Sequence, residues 1–124
     1  MILETILALS AVDYDHLARA VSVEAAKNTF DEYCVAASIL NRVNSQYFPN
    51  TVADVVYAPG QYQGFDFHRP VASTTLVNRL KSEEGKRNLL KAHSIIGNRT
   101  DFKGQSMLRY RVSSEDPMCD PKGN

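Results

Sequence analysis

Residues 17–65 read LARAVSVEAAKNTFDEYCVAASILNRVNSQYFPNTVADVVYAPGQYQGF. Leu17, Val21 and Glu24 follow i, i+4, i+7 spacing, so on a helix they share one face. That face is apolar apart from the carboxyl of Glu24. A carboxyl held against apolar side chains is costly to ionise, and its pKa rises. Such a glutamate keeps a proton near neutral pH and can give it away as a general acid. Seven residues on, Asp31 to Val43 is apolar nearly all round: Tyr33, Cys34, Val35, Ala36, Ala37, Ile39, Leu40 and Val43. A helix of that kind is buried on most sides and forms the spine of a small domain. Asn41 and Arg42 are polar residues at the end of that spine.

Outward from this stretch the chain reads as helices. Residues 2–10 form a short apolar helix. Asp13 is the expected N-cap of the next, Tyr14 to Lys27, which Asn28-Thr29 ends. Thr29 with Glu32 has capping-box spacing and starts the spine helix. Thr51 caps a short helix, Val52 to Tyr57, and Pro59-Gly60 stops it. Residues 58–72 form a loop rich in amides and aromatics. Helices follow over Thr74 to Leu80 and Glu83 to Ile96, with Gly97 as the C′ residue. Met107 to Val112 alternates Leu108, Tyr110 and Val112 against Arg109 and Arg111, which predicts a small β element near residues 106–112. The tail from Ser113 has no pattern. The fold class is thus mainly α with a small β element (α+β), in one domain over residues 1–124.

Composition narrows the function. The 124 residues are 44% hydrophobic and 23% charged, with zero formal net charge. That balance suits a globular domain and argues against a nucleic-acid binder driven by phosphate neutralisation. No apolar run reaches membrane-spanning length. MILETILALSAV lacks a basic n-region and carries Glu4, so it reads as a helix and not a signal peptide. Two cysteines do not make a disulfide framework. Cys34 reads as a small core residue, and nothing in the spacing argues for a bridge to Cys119.

His16, His68 and His93 are scattered, with no HExxH or comparable metal-ligand spacing. No GxSxG and no phosphate-binding glycine run is present. Most glycosidases use two carboxylates. Asp31, Glu32, Asp54 and Asp66 are the candidates for a partner to Glu24. Glu32 reads as a capping residue and Asp54 as part of the first turn of its helix. Asp66 is the one worth testing.

Four short motifs occur in order: Ala20 to Ala25 around Glu24, Leu40-Asn41-Arg42-Val43, Phe48-Pro49-Asn50-Thr51-Val52, and Tyr57-Ala58-Pro59-Gly60-Gln61-Tyr62 with Phe65 following. This order resembles the SleB/CwlJ-like cell wall hydrolases, which include spore-cortex-lytic enzymes and related phage proteins. The resemblance implies a lysozyme-like fold and cleavage of the MurNAc–GlcNAc β-1,4 bond of peptidoglycan glycan strands. It implies Glu24 as the acid/base. It makes Asn41 and Gln61 candidates for hydrogen bonds to the sugar or to Glu24, and Tyr62 and Phe65 candidates for the cleft wall. This chemistry asks for no metal or organic cofactor. Members commonly follow the glutamate with Ala-Arg-Gly-Glu, where this chain has Ala25-Ala26-Lys27-Asn28; substrate preference is what that departure affects. One acid suffices when the muramyl C6 hydroxyl is the nucleophile, as in a lytic transglycosylase. Two alternatives stand beside it: hydrolysis of the same bond as in a muramidase, and a non-catalytic wall-binding or structural module of a virion. Delivery to the wall would be by lysis or in a virion.

Overall fold

The computed structural model describes residues 2–62, 70–100 and Cys119. Among these residues are six helices: α1 (Ile2–Ala8), α2 (Ala11–Glu24), α3 (Asp31–Val43), α4 (Val52–Val56), α5 (Thr74–Lys81) and α6 (Glu83–Ile96). Among the described residues there is no strand. The expected β element at residues 106–112 lies outside them.

α3 is the spine. Cys34, Val35, Ala36, Ala37, Ile39 and Leu40 are fully buried, and the helix packs against α1, α2, α4 and α6. Small residues on facing helices, Ala18 and Ala20 on α2 and Ala36 and Ala37 on α3, leave room for close approach. Leu17, Val21, Leu80 and Leu89 fill the space around them. Each such aliphatic side chain contributes about 1.5–3 kcal/mol by leaving water.

α2 begins and ends differently from the sequence expectation. Its N-cap is Ser10, not Asp13. Ser10 Oγ accepts from Asp13 N (3.1 Å) and Asp13 Oδ2 accepts from Ser10 N (2.9 Å). Two orphan N–H groups are satisfied reciprocally, so the helix starts three residues earlier. It ends at Glu24, short of Lys27. Ala25 is extended (φ −121°, ψ 148°), and Asn28 takes a positive φ of 63°, a conformation asparagine tolerates better than most residues.

The expected Thr29–Glu32 capping box does not form. Phe30 is the N-cap of α3 and makes no side-chain cap bond. Thr29 Oγ1 instead donates to the Ala26 carbonyl (2.7 Å), closing the preceding turn. Glu32 forms an ion pair with Arg79 of α5 (2.6 Å). Thr51, Ser73 and Ser82 cap α4, α5 and α6 through their hydroxyls. Ser82 ends α5 and starts α6, so the two helices meet at a sharp corner. Gly85 makes that corner possible: a Cβ there would fall on the Arg79 carbonyl oxygen and 2.6 Å from that of Leu80.

Cys34 is a core residue as expected, but it is also half of a disulfide with Cys119 (Cα–Cα 5.8 Å). Cys119 N donates to Asp31 Oδ1 (3.0 Å), so Cys119 is held to the first turns of α3 twice.

Candidate active site

Glu24 is the last residue of α2 and is 1% exposed. Leu17 and Val21 lie buried on the same helix face, as the spacing requires. Tyr62, also 1% exposed, is close enough to feel its charge. Burial pushes the Tyr62 hydroxyl up to about 12; the nearby Arg42 guanidinium opposes this and a charge on Glu24 adds to it. Glu24, Tyr62 and Arg42 therefore form one electrostatic neighbourhood, built from the ends of α2 and α3 and the turn after α4.

Arg42 organises that neighbourhood. It is 6% exposed and lies over two rings, 4.9 Å from the Phe48 centroid and 5.4 Å from that of Tyr62. Its Nη1 donates to Gln61 Oε1 (3.0 Å) and its Nε to the Thr100 carbonyl (2.8 Å). A buried guanidinium needs such partners, and its planar fork supplies several at once. Sequence reasoning assigned Arg42 no role. The signal was its position in the last turn of an apolar helix, where a charge must leave the core or be paired.

The other expected site residues are placed as follows. Gln61 is half-buried and held by Arg42. Tyr62 is buried and packs in the core, near enough to Glu24 to feel its charge. Asn41 donates both Nδ2 protons, to the carbonyls of Gly97 and Arg99 (2.8 Å each), tying α3 to the turn after α6. Phe65 and Asp66 lie outside the described residues. On the near side of that segment Tyr62 sits by Glu24; beyond it, Pro70 returns to α2, where its carbonyl accepts from Arg19 Nη1 (3.1 Å). His16 is half-buried, and its Nδ1 shares a hydrogen bond with the Tyr57 hydroxyl (2.6 Å), joining α2 to the end of α4.

A cavity of about 210 Å³ adjoins the end of α2, lined by Ser22, Ala25, Lys27, Glu32, Ser73 and Leu76. Ala25 follows Glu24 directly, so this cavity lies next to the acid in the chain. Glu32, freed from capping, is a second carboxylate on its wall. A separate cleft of about 300 Å³ opens at the Asn41 end of α3. Among the described residues no group of three or more His, Cys, Asp or Glu is placed to hold a metal, and no helix is long and apolar enough to cross a membrane.

The family model described as Cell Wall Hydrolase matches residues 28–114. The chain belongs to this family, whose substrate is peptidoglycan. The matched span takes in α3, Arg42, Gln61 and Tyr62 and starts just beyond Glu24. No characterised protein and no solved structure matches the chain.

Proposed function

We propose that this cell wall hydrolase cleaves the MurNAc–GlcNAc β-1,4 bond with Glu24 as its single acid/base, as a lytic transglycosylase does. The observation that supports this most is the burial of Glu24 at the end of α2, near Tyr62 and on the helix face it shares with the buried Leu17 and Val21. Removing a carboxyl from water favours its protonated form. Glu24 gives its proton to the glycosidic oxygen as the C1–O4 bond breaks. The C6 hydroxyl of the same MurNAc then forms the new bond to C1, and its proton returns to Glu24. The products are a free GlcNAc 4-hydroxyl and a 1,6-anhydro-MurNAc end, and the acid is regenerated. No bound water is consumed, because the nucleophile arrives tethered to the reacting sugar.

Glu32 favours a second reading. It is not spent on capping, its side chain is 5% exposed, and it lines the cavity next to Ala25. A carboxylate there is a candidate to activate water and turn the same site into a muramidase. The Arg79 ion pair is the argument against it, since it holds the carboxylate in place.

The test is Glu24→Gln assayed on purified peptidoglycan. Loss of a general acid costs ~10²–10⁴-fold or more in rate. Undiminished lysis by a folded Glu24→Gln protein would move the acid elsewhere. No lysis by the wild-type chain on several wall chemotypes would leave a wall-binding module.

A further inference from the structure

We propose that the cleft at the Asn41 end of α3 binds a neutral N-acetylated sugar unit; that the sugar belongs to a glycan strand rests on the reading given above. The cleft measures about 300 Å³, at the small end of the range for ligand sites. Glu24 does not line it.

Its chemistry selects the ligand. Among the described residues, three side-chain amides (Asn41, Asn44, Asn98) and two hydroxyl residues (Ser45, Thr100) line it, with no Lys, Arg, Asp or Glu. A phosphate or carboxylate ligand would call for cations, and a metal ion for carboxylates. A neutral lining of donors and acceptors suits hydroxyl and acetamido groups, which do both.

The hydrogen-bond accounting leaves complementary groups over. Asn41 spends both Nδ2 protons on Gly97 and Arg99, which leaves Oδ1 as an acceptor. Asn44 Oδ1 accepts from Thr5 Oγ1 (2.8 Å), which leaves its Nδ2 as a donor. His93 Nδ1 is buried on the cleft wall with no hydrogen-bond partner among the described residues. Buried polar atoms in folded proteins are paired almost without exception, and a ligand hydroxyl would pair this one. Ile2 adds an apolar surface on which an acetyl methyl can rest. The last turn of α3 joins this cleft to the Glu24 neighbourhood: Asn41 lines the one and the next residue, Arg42, stacks on Tyr62 in the other.

The test uses the full chain, oxidised and ¹⁵N-labelled, titrated with N-acetylglucosamine and, in parallel, with glucose. The side-chain amide signals of Asn41, Asn44 and Asn98 should move and saturate with N-acetylglucosamine, and respond more weakly to glucose. Asn98→Ala, at an exposed turn position, and His93→Phe should each weaken binding, by roughly 2–10-fold for one lost hydrogen bond. Unmoved amide signals, equal response to glucose, or two folded variants that bind like wild type would overturn the proposal. Wall lysis is scored separately on the same preparation. Binding without lysis keeps this site and removes the enzymatic reading; lysis without binding does the reverse.

Discussion

The guanidinium of Arg42 stacks on the ring of Tyr62, 5.4 Å from its centroid, while the same group bonds Gln61 and the Thr100 carbonyl. Three chain segments meet on one buried charge. Arg42→Lys keeps the charge but loses the fork and the stacking surface. We expect it to cost about 1–3 kcal/mol. The measurement is a shift of the denaturant midpoint at constant slope. An unchanged midpoint would mean that these contacts contribute nothing net.

Tyr62 gives the fold an alkaline limit. Its hydroxyl ordinarily titrates at 10.0 and is pushed up to about 12 by burial. Above pH 10 the unfolded chain therefore loses this proton before the folded one does. The contribution is complete below pH 10 and is lost as pH rises from there through 12, roughly 2–3 kcal/mol in all. Tyr14, raised first by burial and then by the Glu83 charge, acts in the same direction. Tyr62→Phe should flatten the loss of stability across that window. A variant as alkali-sensitive as wild type would assign the effect to other groups.

Gly85 is a steric requirement of the α5–α6 corner. Its missing Cβ would strike backbone carbonyls of Arg79 and Leu80, which cannot swing aside as a side chain would. Gly85→Ala should destabilise by about 1–3 kcal/mol, as overpacking does, although alanine is the better helix former. Thermal unfolding decides it, and a melting temperature at or above wild type would contradict the geometry.

The disulfide joins residues 85 positions apart. In the chain-entropy model a loop of that length restrains the unfolded chain by about 4–5 kcal/mol. Cys119→Ser should lower the melting temperature, and added reductant should lower wild type to match. Equal melting of oxidised and reduced wild type would show that the bridge carries no stability.

Much of this architecture was legible in the sequence. The all-round apolar run of Asp31–Val43 marked the spine, and the 3.6-residue spacing placed Glu24 with Leu17 and Val21. The hydroxyl of Thr51 before an apolar run gave the start of α4. Ser10 was overlooked because Asp13, three residues on, is itself a good cap; only the reciprocal bond tells N-cap from N3. Thr29 and Glu32 have the spacing of a capping box, but Arg79, on a distant helix, competes for Glu32 and wins. The Cys34–Cys119 bridge and the contacts of Arg42 join residues that only the tertiary fold brings together, and no local pattern encodes them. Asn41 was expected to bond the sugar or Glu24; its Nδ2 protons hold the backbone after α6, leaving its Oδ1 for any ligand.

The central claim is that Glu24 alone carries the proton in both halves of the reaction. Mass spectrometry of muropeptides from a wild-type digest tests it most directly, with Glu24→Gln and Glu32→Gln digests beside it. We expect 1,6-anhydro-MurNAc ends, lighter by one water than hydrolysis products, from wild type and from Glu32→Gln, and none from Glu24→Gln. Reducing MurNAc ends as the main product, lost in Glu32→Gln, would contradict the single-acid account and establish a two-carboxylate hydrolase.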